Sequence, residues 1–462
     1  MQQTKETNGA PRQNKMGTMP VPQLLLTMSL PMIISMLVQA LYNVVDSMFV
    51  SQINENALTA VSLAFPVQNL MIAVASGTGV GVNALLSRSL GEKNYSQANK
   101  AANNCILLTA LSYLVFALVG IFGSRLFFAA QTSDPQIVSY GFQYMSIICI
   151  FSFGLFFQVS MERLLQSTGL TFYTMITQGT GAIINIIFDP ILIFGMFGFP
   201  KLGVAGAAAA TVFGQIVAMC LGIYFNFRKN PEIKLSLNRM RFHGPTVKSI
   251  YMVGVPSILM MSIGSVMTFG MNKILLVFSS TAAAVFGVYF KLQSFFFMPV
   301  FGLNNGMVPI VAFNYGARDK KRILHTVRLS CIAAFVLMIC GLITFNLIPD
   351  VLLGLFNASE DMLSIGCKAL RTISLSYIFA GFCIVLGSVF QALGNGIYSL
   401  IVSVCRQLCV LLPAAWILAK VFGLDAVWWS FPIAEIASIT VTLILFRRIY
   451  KNKIQPLNAP HI

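Results

Sequence analysis

The sequence predicts an all-α membrane protein, with 12 transmembrane helices arranged as two parallel-repeat six-helix bundles. Three observations carry this. Only 10% of the 462 residues are charged and 57% are apolar, whereas an ordinary soluble domain carries about 25% charged residues. Residues 56–87 and 372–405 hold no charge at all, and runs of about 18 such residues are long enough to cross a bilayer. The two halves also repeat. A shift of 225 residues superimposes Pro31 on Pro256, Gln68 on Gln293, Gly77 on Gly302, Gly81 on Gly306, Gly91 on Gly316, Gln166 on Gln391 and Gly169 on Gly394.

Taken in order, apolar runs place spans at about 23–50, 57–85, 102–127, 137–166, 171–197 and 203–227. A basic linker follows, then spans at about 248–278, 283–312, 324–349, 362–392, 397–421 and 427–447. Six spans per half is an even number, so both halves enter from the same side. Their symmetry axis then lies along the membrane normal. With the N-terminus in the cytoplasm, 21 Lys and Arg fall in inside segments and 5 in outside loops. This is the positive-inside pattern, and it sets both termini in the cytoplasm. The expected organisation is a tail at 1–22, a first bundle at 23–227, a cytoplasmic linker at 228–247, a second bundle at 248–447 and a tail at 448–462.

The net charge of +16 is thereby assigned to anionic lipid headgroups and not to nucleic acid. No early apolar run ends in a small-residue cleavage site, so the first span is expected to remain in the mature protein. The nine cysteines lie mostly inside apolar runs, and the nearest pair, Cys405 and Cys409, lacks a zinc spacing. The three histidines, His243, His325 and His461, sit in polar loops or the tail, so no histidine metal site is expected. No phosphate-binding GxxxxGK[ST] loop exists. The Gly77-Thr-Gly79-Val-Gly81 run lies inside a span and reads as close helix packing. Catalytic triads are absent as well. The expected protein is therefore no enzyme, needs no cofactor and draws on an ion gradient, with H⁺ or Na⁺ as coupling ion.

Coupling must act on acids within the membrane, where each costs about 2.5–3.5 kcal/mol and needs a partner or a purpose. Four acids qualify: Asp46, Glu162, Asp189 and Glu435. Asp46 and Asp189 fall in the outer halves of the first and fifth spans, at matching depth. Gln39, Asn43 and Asp46 form one polar stripe, and Asn185 shares a face with Asp189. Thr211 on the returning sixth span comes near the same depth. Two carboxylates, an amide and a hydroxyl can exchange a proton or cage a small cation. At the repeat offset Asp46 faces Met271 and Asp189 faces Ala414, so this chemistry belongs to the first half alone. Asp189 also precedes Pro190 and can be read as a helix break. Glu162 and Arg163 read as structural pairing or snorkelling. Lys291, Arg406 and Glu435 either pair with one another or line the pathway.

These residues resemble the MATE family, the multidrug and toxic compound extrusion transporters, over essentially the whole chain. The stretches that carry the resemblance are Tyr42-Asn43-Val-Val-Asp46-Ser-Met-Phe-Val50, Ser89-Leu-Gly91-Glu-Lys-Asn94, Glu162-Arg163-Leu-Leu-Gln-Ser-Thr-Gly169, Asn185-Ile-Ile-Phe-Asp189-Pro190, Phe313-Asn-Tyr-Gly316-Ala317 and Gln391-Ala-Leu-Gly394-Asn395. The acids of the first half are similar to those of the DinF-like bacterial multidrug branch. The resemblance implies export of organic cations and drugs in exchange for H⁺ or Na⁺, with Asp46, Asn185, Asp189 and Thr211 at the coupling site. The second-half carboxylates of the NorM-like branch are replaced here by Asn272 and Lys273. Gln39, Asn43, Gln68, Met271, Gln293 and Phe297 are the expected substrate contacts, offering amides, a polarizable thioether and an aromatic face to flat lipophilic cations. A monomer in the bacterial cell (inner or plasma) membrane, with lipid as its surroundings, is the expected form. The rival is a lipid-linked oligosaccharide flippase of the same superfamily, which needs a basic cavity for its pyrophosphate.

Overall fold

The computed structural model of the protein describes residues 14–236, 241–356 and 358–458. Lys5, Arg12, Arg239, His461 and the central part of the expected linker lie outside the described residues. Among those described, the chain is helical throughout. Ten helices are long and apolar enough to cross a membrane, and two bent pairs bring the number of spans to 12.

A short helix α1 (Lys15–Thr18) precedes α2 (Val21–Ser51) and α3 (Glu55–Gly91). Next come α4 (Tyr95–Gln131), the bent pair α5 (Pro135–Ile150) and α6 (Phe153–Ser167), α7 (Thr171–Phe194) and α8 (Val204–Lys229). The second half runs α9 (Gly244–Leu276), α10 (Ser280–Gly316), α11 (Lys320–Leu347), a short α12 (Pro349–Gly354), and the bent pair α13 (Glu360–Ser374) and α14 (Tyr377–Ala392). It ends with α15 (Gly396–Phe422) and α16 (Leu424–Leu457).

The 225-residue repeat extends to the caps. Asn54 caps α3 by accepting from the Ala57 N–H at 2.7 Å, and Ser279 caps α10 from the Ala282 N–H at 3.0 Å. Asn94 and Asp319 do the same at the starts of α4 and α11, each at 3.0 Å. The residues before these two caps, Lys93 and Arg318, both adopt the left-handed conformation, with φ of 57° and 60°.

Two spans differ from the single helices expected. The spans expected at 137–166 and 362–392 as single helices are each broken, by 43° and 52°. The breaks, at Phe151–Ser152 and Leu375–Ser376, fall within one residue of equivalence in the repeat. No proline marks them; at the second, the Ser376 hydroxyl donates to the Ile373 carbonyl at 2.7 Å, a local bond that competes with the helical ladder. Within the expected tail at 448–462, helical structure runs to residue 458. The end of the expected first tail is also structured: Met16 is fully buried.

The halves meet through glycines, and the seam obeys the repeat. A Cβ on Gly77 would lie 2.5 Å from Ile258 Cγ1, and one on Gly302 would lie 2.6 Å from Ile33 Cα. Gly81 abuts the Ile250 carbonyl and Gly306 abuts Ser29. These approaches lie toward the end of the bundle where both described termini sit. We call this end the terminal face.

Candidate functional site

Helices α2, α7 and α8 bring the four expected coupling residues together. Asp189 is fully buried, and Asn185 and Thr211 are nearly so. Oriented so that its nitrogen meets acceptors and its oxygen meets donors, the Asn185 amide donates to Asp189 Oδ2 at 2.9 Å, one helical turn along α7. Its oxygen accepts from both the hydroxyl (3.1 Å) and the backbone N–H (2.9 Å) of Thr211 on α8. One amide thus fixes a carboxylate and joins two helices. This packing is possible because Gly214 on α8 lies against the Gly181 carbonyl and Asn185 Cβ on α7.

Asp46 reaches this cluster from α2, and its carboxyl meets that of Asp189 side chain to side chain. The Oδ1 atom of each carboxyl is buried without a hydrogen-bond donor among the described residues. Two carboxyls cannot touch in a dry site while both are ionised, so they require a proton or a cation between them. Pro190 follows directly inside α7 and has no N–H to give to the helical ladder.

Two tyrosines complete the site and were not singled out from the sequence. The Tyr42 hydroxyl bonds that of Thr211 and lies within electrostatic reach of both acids. It precedes Asp46 by four residues, so the helical spacing that linked Gln39, Asn43 and Asp46 also signals it. Tyr144 of α5 is buried beside Asp46 and Tyr42, and its phenol accepts from Gln68 Nε2 at 3.0 Å. It comes from a different span, and nothing in the linear sequence announces it.

The expected substrate contacts divide. Gln39 and Asn43 are linked along α2 at 3.4 Å, and Gln68 is joined to the acid site through Tyr144. Gln293 and Phe297 lie half-buried in the second half, with Phe297 edge-on to Tyr377 at 5.2 Å. Met271 is fully enclosed in the core of the second half. Its thioether packs between helices in this structure.

Glu162 does not snorkel. It is buried, and its carboxylate accepts from Gln178 Nε2 (2.7 Å), Gln158 Nε2 (3.0 Å) and the Thr177 hydroxyl (3.3 Å). Gln178 in turn bonds Ser35 of α2. Arg163 donates across the seam to Asn305 Oδ1 at 3.1 Å. In the second half Arg406 pairs with the buried Glu435 at 3.4 Å. Lys291 does not join them; it is exposed, with its ammonium 5.9 Å from the Phe356 ring. Among the described residues no group of three or more His, Cys, Asp and Glu could hold a metal ion.

The MatE family model matches the chain twice, over residues 31–191 and 256–417, one match per half. The multidrug export protein MepA of Staphylococcus haemolyticus is 26% identical over 88% of this chain and 89% of its own length. A protein of Shewanella oneidensis described as an FAD transporter is 28% identical over 90% of this chain and 92% of its own. A solved structure described as the outward-facing conformation of a multidrug resistance MATE family transporter superposes with a TM-score of 0.91, at 23% identity, over 98% of this chain and all of that one. The two matched segments span well over half the chain, which therefore belongs to the MatE family and is a multi-span membrane transporter, not an enzyme.

Proposed function

We propose that this transporter exports monovalent organic cations in exchange for H⁺, by alternating access across the seam between its halves. The carrying observation is the Asp46–Asp189 contact, with one buried carboxyl oxygen on each side lacking a donor. A single proton shared between the two carboxyls satisfies both. Its departure leaves two negative charges in a dry site, a state that a cationic substrate nearby relieves. One site thus favours either the coupling proton or the substrate cation, which is what exchange requires. Asn185 and Thr211 act by holding Asp189 in place. Sodium is the other candidate ion, since every group in the cluster presents oxygen or amide ligands of the kind hard cations accept.

In this reading residues 23–227 and 248–447 are the two moving bundles, the chain works as a monomer, and the terminal face is cytoplasmic, as the 21-to-5 distribution of basic residues favours. The acids weigh against an anionic lipid-linked sugar as cargo, which needs a basic cavity.

The test is efflux from membrane vesicles with the pH and sodium gradients imposed separately. Extrusion of a lipophilic cationic dye driven by the pH gradient alone is expected. Movement of anionic cargo with no movement of the dye would replace this reading.

A further inference from the structure

The terminal face is tied together by residues 14–19. On one side, Asn14 Nδ2 donates to the Thr168 carbonyl of the first half at 3.4 Å and to Glu232 Oε1 at 3.3 Å. Gly169, with φ of +87°, leaves room for the Lys15 side chain, which would lie 3.1 Å from a Cβ there. On the other side, Met16 is fully buried and Gly17 lies against the Phe313 ring of the second half. Arg322 at the start of α11 holds this segment through two of its guanidinium nitrogens. One Nη2 donates to the Met16 carbonyl at 2.9 Å and the Met19 carbonyl at 2.8 Å, while Nε donates to Asn314 Oδ1 at 3.0 Å. Asn314 Nδ2 donates to the same Met16 carbonyl at 3.2 Å.

We infer that this segment is a latch, with Arg322 as its positioning residue, which closes the terminal face and must detach before the halves can part there. Chain length requires it. Asn14 is anchored to the first half and Met16 to the second, and two residues span at most about 7 Å. The tie therefore cannot stretch to follow a rocking bundle; it must release on one side. The repeat supplies the counterpart. At the position equivalent to Arg322, Gln97 of the first half bonds Thr246 at 3.1 Å, in the segment that enters the second half. There the chain itself connects the halves and cannot detach. The N-terminal segment is the same crossing made without a covalent link, so it is the crossing that can open.

The inference rests on the alternating-access reading, but its test needs neither substrate nor gradient. Amide hydrogen exchange at the terminal ends of α3 (residues 83–91) and α10 (residues 308–316) is compared in the full-length wild type, Arg322→Ala, Met16→Ser and the double variant. Each single change is expected to speed exchange there at least tenfold. The double variant should be no faster than either single, because both break one tie. Arg322→Lys, which keeps the charge but cannot bond both carbonyls and Asn314 together, should fall between. If Arg322→Ala fails to reach the membrane, Met16→Ser alone decides, since it leaves Arg322 bonded to Asn314. Wild-type exchange in the single variants, or an effect in the double equal to the product of the singles, overturns the latch. Either result would leave dye efflux and its gradient dependence to stand or fall separately.

Discussion

Gly91 and Gly316 pack against each other's helix ends in reciprocal fashion: a Cβ on Gly91 would strike the Phe313 carbonyl, and one on Gly316 the Arg88 carbonyl. Residues 88 and 313 are themselves 225 apart, so each glycine meets the repeat image of what the other meets. The pseudo-two-fold axis passes between them. Contacts of this kind are self-complementary, and here they join the terminal ends of α3 and α10 backbone to backbone.

Alanine at these two positions is incompatible with a closed terminal face but not with either bundle alone. Overpacking of this kind costs about 1–3 kcal/mol, and about 1.4 kcal/mol shifts a two-state equilibrium tenfold. Gly91→Ala with Gly316→Ala should therefore favour the state in which the terminal ends are apart. Spin labels at Lys100 and His325, a pair of exposed positions equivalent in the repeat, should report a longer distance. Gly179→Ala, whose Cβ would meet nothing within 4 Å, should leave that distance unchanged.

The Arg406–Glu435 pair makes a different prediction. Glu435 is buried, while about a third of the Arg406 side chain remains accessible. Removing one member of a buried pair costs about 3–5 kcal/mol, whereas replacing both by apolar residues is often neutral. Arg406→Ala should lower the thermal unfolding midpoint in detergent. Arg406→Met combined with Glu435→Leu should recover most of the loss. A pathway-lining role would instead leave stability intact and change transport alone.

The acid cluster was legible because helical spacing and span direction together give depth. Asp46 and Asp189 lie in spans running the same way, and matching depth is enough to bring them within reach once the bundle closes. The seam was legible as repeated glycines, though not its reciprocity, which needs three dimensions. The bends at Phe151–Ser152 and Leu375–Ser376 were not legible, because proline is the usual sequence mark of a kink and neither break has one. The enclosure of Met271 and the exposure of Lys291 were not legible for a related reason. Composition says that a residue is apolar or charged, but not whether its face of the helix turns to the seam, the core or the exterior.

Glu162 separates folding from transport. Its carboxylate satisfies three donors from α6 and α7, and a buried donor left without a partner costs about 1–3 kcal/mol. Glu162→Ala should cut the amount of folded protein in the membrane severalfold. Efflux normalised to the protein that remains should stay near the wild-type value. Quantitative immunoblotting beside dye efflux checks both, and normal protein levels with lost efflux would move Glu162 into the transport machinery.

Asp46 should behave in the opposite way. Asp46→Asn keeps the shape of the side chain and removes its charge, so α2 should still pack on α7 and α8. An amide cannot take up and release a proton, and it leaves Asp189 without an acidic partner to share one. Efflux driven by the pH gradient should fall at least tenfold while protein levels stay normal. Asp189→Asn should lose coupling as well; its oxygen can still accept from the Asn185 amide, so the bridge to Thr211 survives and the fold with it. Because the two carboxyls act as one unit, the double variant should be no worse than either single. The measurement is initial efflux rate against imposed pH gradient, per amount of protein, for the wild type and all three variants. Wild-type rates with unchanged gradient dependence in Asp46→Asn would place the coupling site elsewhere.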